Sequence, residues 1–130
     1  MYLLDTNVCL DFALARSEAV RDRMASAYGR GVAISSISLA ELRVGARNIE
    51  ADPEDMKRLN LLVRLLTVRP FDEAAAEAYG QVARLIGVKR RSFDRLIAAH
   101  ALALTCTLVT SNLSDFSPIP GLKVENWRDN

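Results

Sequence analysis

The chain has 130 residues, half of them apolar, and carries 17 Lys plus Arg against 16 Asp plus Glu, a formal net charge of +1. That balance excludes the strongly basic field of a dedicated nucleic-acid binder, and the apolar half excludes a disordered chain. The length suits one domain over residues 1–130, with a core that needs no metal or disulfide staple.

One asymmetry survives the neutral balance: 14 of the basic residues are Arg and 3 are Lys. Arg suits bidentate contacts to carboxylate and phosphate, although GC-rich codon usage gives the same excess. Cys9 and Cys106 each lie in an apolar run and read as small buried hydrophobes. Two cysteines without a Cys-x-x-Cys spacing make neither a disulfide framework nor a zinc site. The opening Met1-Tyr2-Leu3-Leu4-Asp5 has no basic n-region and no long apolar h-region, so no secretory signal peptide is expected. No apolar stretch approaches the roughly 20 residues that span a bilayer. A soluble, cytoplasmic protein without membrane contact is the expectation.

In chain order, Tyr2-Leu3-Leu4 predicts a short buried strand, followed by a helix capped at Thr6 or Asn7 and running to about Ala15. Ser17 caps a second helix to about Tyr28, and Gly29 and Gly31 break it. Val32-Ala33-Ile34-Ser35 predicts a second strand. Ser38 and Glu41 have the Ser-x-x-Glu spacing of a capping box, so a helix is expected to open there. Asp52-Pro53-Glu54-Asp55 is a strong helix start, with Met56, Leu59, Leu62, Val63 and Leu66 as its apolar face. Thr67 to Pro70 predicts a third strand, and Asp72 caps an Ala-rich helix that ends near Gly87. Ser92 caps a helix from Phe93 to Leu104. Thr107 to Thr110 predicts a fourth strand and Leu122 to Glu125 a fifth. Short apolar strands alternating with helices predict an α/β fold: a mostly parallel sheet of four or five short strands covered on both faces.

In such sheets ligands gather at the carboxyl ends of the strands. Asp5 follows the first strand, Glu41 opens the helix after the second, and Asn112 and Asp115 follow the fourth. Asp94 begins the helix that leads back into the fourth strand, about 16 Å of helix away from it at 1.5 Å per residue. A helix antiparallel to that strand starts at the same edge as the other acids. Carboxylates gathered this way repel, and coexist through raised pKa values or a cation. Mg²⁺ is held by one or two carboxylates plus waters and substrate phosphate, and such an ion activates water for displacement at phosphorus. Each acid also has a plain structural role: Asp and Asn cap helices, Glu41 partners Ser38, and Asp94 complements a helix dipole. Composition and spacing alone reach an acidic metal site and stop there.

Three blocks carry the reading further. They are Leu3-Leu4-Asp5-Thr6-Asn7-Val8; Ile34 to Gly45, containing Ser38-Leu39-Ala40-Glu41; and Phe93-Asp94-Arg95-Leu96 to Ala101, followed by Leu108 to Asn112 and Asp115-Phe116. With the ending Gly121-Leu122 to Glu125-Asn126-Trp127, the sequence resembles the PIN-domain ribonucleases, and among them the VapC-type toxins of bacterial toxin–antitoxin pairs. The resemblance implies a three-layer α/β/α sandwich. It also implies RNA cleavage by metal-activated water, with Mg²⁺ or Mn²⁺, leaving a 5′-phosphate and a 3′-hydroxyl. Asp5, Glu41 and Asp94 are carried over as catalytic and metal-binding. The family's fourth acidic position falls on Asn112, so the fourth ligand is open between Asn112 and Asp115. Thr6 and Thr110 stand beside the site as hydroxyls that orient water or metal, or as plain cap and turn residues.

The implied partners are RNA, a cognate antitoxin and a second copy of the chain in a homodimer. Apolar faces around residues 8–15 and 56–66 suit a partner helix or ordinary core. Arg90, Arg91 and Arg95 flank Asp94, either to hold phosphates or as a solvated helix start. His100 is the only histidine; on an Ala-rich helix it reads as a packed or half-exposed residue rather than a catalyst, and a metal-activated water needs no separate base.

Two rival functions remain. A non-catalytic RNA- or protein-binding module on the same fold predicts indifference to changes at the three acids. A phosphoacceptor signalling domain wants adjacent acids after the first strand and a Lys near the later ones. Here Asp5 stands alone, and the lysines are Lys57, Lys89 and Lys123.

Overall fold

The computed structural model describes residues 1–49 and 52–128, with side chains throughout except at residues 45–49. Among the described residues the chain forms five strands and seven α-helices. In order they are β1 (Tyr2–Leu4), α1 (Thr6–Ala13), α2 (Glu18–Ala27), β2 (Val32–Ser35), α3 (Ser36–Ile49), α4 (Pro53–Leu65), β3 (Thr67–Arg69), α5 (Glu73–Ile86), α6 (Asp94–Leu104), β4 (Thr107–Val109), α7 (Leu113–Phe116) and β5 (Val124–Glu125). A single 3₁₀ turn, Tyr28–Arg30, follows α2. No helix among the described residues is long and apolar enough to cross a membrane.

The strands form one sheet in the order β3-β2-β1-β4-β5, and every pairing is parallel. Parallel strands at 3-residue length are stable only when both faces are covered. Side chains alternate between two cores accordingly. Tyr2, Leu4, Val32, Ile34 and Val109 face one core with α1, α2, α4 and Trp127. Leu3, Ala33 and Leu108 face the other with α5, α6 and Phe116 of α7. The result is the expected α/β/α sandwich. Because β1 is central and the order reverses between it and β4, the crevice at their carboxyl ends is the topological switch point, where open α/β sheets bind ligands.

Most helix starts follow their local chemistry. Ser17 accepts a hydrogen bond from the Val20 amide, Asp52 caps α4 with Pro53 in its first turn, and Asp72 accepts from the Ala75 amide while Gly87, at φ 85°, ends α5. Three starts differ from the sequence expectation. The cap of α1 is Asp5 rather than Thr6 or Asn7: its Oδ1 accepts from the Val8 amide at 2.9 Å. Helix α3 opens at Ser36, two residues before the expected capping box, because Ser35 Oγ accepts from the Ile37 amide at 3.0 Å. Ser38 is therefore buried inside the helix, and Glu41 is released from any capping duty. Helix α6 begins at Asp94, whose amide donates to Ser92 Oγ at 3.2 Å. The short helix α7 had no sequence signal of its own.

Candidate active site at the carboxyl edge of the sheet

Asp5 leaves β1 directly into the switch-point crevice and is 6% exposed. Its amide donates to the Val109 carbonyl at 3.0 Å, which ties it to the end of β4. Its carboxylate accepts hydrogen bonds from the Val8 amide and from the Thr110 hydroxyl. Burial pushes its pKa up to about 6; repulsion from Asp94 and Asp11 adds to this, and the two hydrogen bonds oppose it. A buried carboxylate felt by a second carboxylate is a site that gains from a cation.

Glu41 joins from α3. Its Oε1 accepts from Thr6 Oγ1 at 2.6 Å, so the residue after Asp5 fixes the second acid. Asp94 joins from the first turn of α6 and is half-buried. Burial raises its pKa, Asp115 raises it further, and Lys89 and Ser92 oppose the rise. Asp115 itself is held below the usual carboxylate range by the Lys89 ammonium at 2.9 Å and by Asn112 Nδ2 at 2.5 Å, both on Oδ2. The Asn112 amide donates to Thr110 Oγ1 at 3.0 Å, so one threonine links the β4 turn to Asp5.

Of the five expected metal-site residues, Asp5 and Asn112 share Thr110, Asn112 donates to Asp115, Glu41 is held by Thr6, and Asp94 is joined to Asp5 and Asp115 by charge alone. They do not form a closed cage: among the described residues no three His, Cys, Asp or Glu side chains stand together as ligands of one ion. Mg²⁺ asks for less, one or two carboxylates with waters in its remaining positions. The donor set of hard oxygens, with the negative charge of half-buried Asp94 bearing on buried Asp5, fits such an ion.

The three arginines separate. Arg90 and Arg91 are exposed in the turn before α6, with Arg91 at φ 62°. Arg95 turns away: its Nη1 donates to the Ile86 carbonyl at 3.1 Å and to the Gly87 carbonyl, which closes the end of α5. His100 is buried, which decides for the packed reading over the half-exposed one. Its Nδ1 lies 2.8 Å from Ser35 Oγ and its ring stands edge-on to Phe71. Burial pulls its pKa down, and Arg69 adds to this against Asp72.

Two site contacts escaped the sequence reading. Lys89 was named only as a lysine, although it opens a Lys-Arg-Arg run just before Asp94. Asp11 is buried on α1, 3.6 Å from Arg128 Nη1, and bears on Asp5. A charged residue inside the apolar run Val8-Cys9-Leu10-Asp11-Phe12 was its one signal.

The sequence and the fold both have known counterparts. The model of the PIN domain family matches residues 2–121. Ribonuclease VapC2 of Rickettsia felis is 32% identical over 131 residues, 98% of each chain. The tRNA(fMet)-specific endonuclease VapC of Salmonella typhimurium is 33% identical over 129 residues, 97% of each. Among solved structures, VapBC2 from Rickettsia felis bound to a promoter DNA fragment superposes with a TM-score of 0.85 at 31% identity, covering 97% of this chain and 98% of that one. An all-parallel sheet with acids at its switch point, and kinship over nearly the whole length, make this chain a member of the PIN-domain family and, within it, of the VapC ribonucleases.

Proposed function

We propose that this VapC-type ribonuclease is an endonuclease that requires a divalent cation, Mg²⁺ or Mn²⁺, and that Asp5, Asp94 and Glu41 hold the ion. What supports the reading is that the Asp5 carboxylate is buried at the carboxyl end of β1 and feels the negative charge of Asp94, from the start of α6, a repulsion that a cation would relieve. When bound, such an ion lowers the pKa of water and neutralises charge developing at phosphorus. The chain's own groups do the rest. Thr110 and the Val8 amide hold the Asp5 carboxylate in one orientation. Thr6 does the same for Glu41. Arg90 and Arg91, exposed at the start of the same turn, offer guanidinium forks to flanking RNA phosphates. Without the ion, the acidic crevice repels the polyanion.

The proposed inhibitor is a cognate antitoxin, as the VapBC naming of the solved relatives suggests. Core packing leaves open a mostly apolar groove lined by Phe12, Met24, Ala25, Tyr28 and Leu65, with Arg21 at its side, on the face of α1, α2 and α4. This groove is the proposed seat for an apolar antitoxin segment. The proposed compartment is the cytoplasm; Cys9 and Cys106 are free and buried, which suits a reducing environment.

The test is cleavage of cellular RNA by the purified chain with Mg²⁺ and with EDTA. Asp5→Asn and Asp94→Asn are expected to abolish Mg²⁺-dependent cleavage while circular dichroism stays unchanged. Asn is as good a helix cap as Asp, so the first variant keeps α1. Undiminished cleavage by both variants would falsify the assignment.

A further inference from the structure

Asp115 Oδ2 carries two protein donors, Lys89 Nζ at 2.9 Å and Asn112 Nδ2 at 2.5 Å. Asp115 and Lys89 both act electrostatically on Asp94, with opposite signs. The ammonium therefore occupies Asp115, the carboxylate whose charge bears on Asp94, whereas two-metal nucleases set a second cation beside the first. We propose that Lys89 replaces a second metal ion: its ammonium, held by Asp115 and backed by the Asn112 amide, is the fixed positive charge on the Asp94 side, and the protein binds one divalent cation.

The segment that carries Lys89 is held at both ends. At its start, Gly87 adopts φ 85° and the Arg95 guanidinium grips the Ile86 and Gly87 carbonyls. At its end, Ser92 Oγ accepts from the Asp94 amide. Arg91 adopts φ 62° between them. A lysine on such a turn is placed rather than free. Its ammonium is a compact charge with three donors, so one directed at Asp115 leaves two for phosphate oxygens. An acid in place of Asn112 would add a third negative group beside Asp115 and Asp94; the amide instead donates to Asp115 and keeps the balance with one lysine.

This inference rests on the metal site proposed above, and the experiment separates the two. Mn²⁺ alone is titrated into the full-length chain by calorimetry, without RNA. The wild type is expected to take one ion per chain, and Asp5→Asn to weaken it at least tenfold. Lys89→Met is expected to gain a second Mn²⁺, lost again when Asp115→Asn is added, and Lys89→Arg is expected to stay at one. Two ions on the wild type, or one ion on both Lys89→Met and Lys89→Gln, overturns the role of Lys89. Identical Mn²⁺ binding by wild type and Asp5→Asn overturns the metal site itself.

Discussion

Asp5 serves as helix cap and as site carboxylate at once, and the two roles pull on its charge in opposite directions. In the unfolded chain it titrates near 3.8; in the folded, metal-free protein it titrates at about 6. Between those values the folded state keeps a proton that the unfolded state has lost, so stability falls as pH rises from about 4 to 6. Asp5→Asn removes this penalty and keeps the cap. In EDTA at pH 7.5 the variant is expected to be more stable to urea by up to about 3 kcal/mol, and the gain is expected to vanish by pH 4. The same proton competes with the ion. Apparent Mn²⁺ affinity is therefore expected to rise from pH 5 to about 6.5 and to level off above pH 7, read by calorimetry in matched buffers. Thr6 gives a second prediction at this scale. Thr6→Val leaves Glu41 without its 2.6 Å donor, and Mn²⁺ affinity is expected to drop roughly tenfold or more, as for other residues that orient metal ligands. Thr6→Ser is expected to restore it; equal affinity in Thr6→Val would remove Thr6 from the site.

Among the elements, the loop from α5 to α6 depends most on one side chain. Arg95 closes the carbonyls at the end of α5 from the first turn of α6, and so clamps two neighbouring helices together. Its exposed neighbours Arg90 and Arg91 have no such duty in the fold. Arg95→Ala is expected to cost about 2 kcal/mol, the scale of hydrogen bonds from a charged donor. Amide exchange across residues 87–93 is expected to speed up in parallel. Helix α3 shows the opposite case, an element whose start was misread. The Ser-x-x-Glu spacing at Ser38 and Glu41 is a true local signal, yet Ser35 at the end of β2 captures the first free amide two residues earlier. Once the helix has begun, Ser38 is interior and Glu41 is one turn in, where Thr6 of α1 meets it.

Over the whole molecule, a sheet of 2- to 4-residue strands holds its order because a core lies on each face. The C-terminal segment closes one of them. Trp127 is fully buried, stacks edge-on to Tyr2 of β1 at 5.3 Å, and donates to Glu125 at 3.0 Å, while Arg23 of α2 pairs with the same Glu125 oxygen at 2.7 Å. Trp127→Ala is expected to destabilise the fold by about 3–5 kcal/mol, read by urea unfolding. The groove on that side of the sheet lies away from the carboxyl edge. Leu65→Arg is therefore expected to block antitoxin capture in a pull-down with the co-expressed partner and to leave RNA cleavage within about twofold of wild type.

The sequence by itself determined what short-range chemistry decides. Short apolar runs marked β1, β2 and β4, and Ser17, Asp52-Pro53, Asp72 and Gly87 marked helix ends, because each acts on backbone groups within a turn of itself. It also placed Asp5, Glu41 and Asp94 at one sheet edge, since parallel topology follows from the alternation of strands and helices. The near-equal count of charges said little about RNA, because the acids and the exposed arginines divide locally rather than in total. Only the tertiary structure decided which groups act together. Thr6 with Glu41 spans 35 positions and Ser35 with His100 spans 65. Lys89 with Asp115 likewise joins the loop before α6 to helix α7. No local pattern encodes such pairs: they exist because the strand register brings distant ends to the same edge, and a charge has no partner until the fold supplies one.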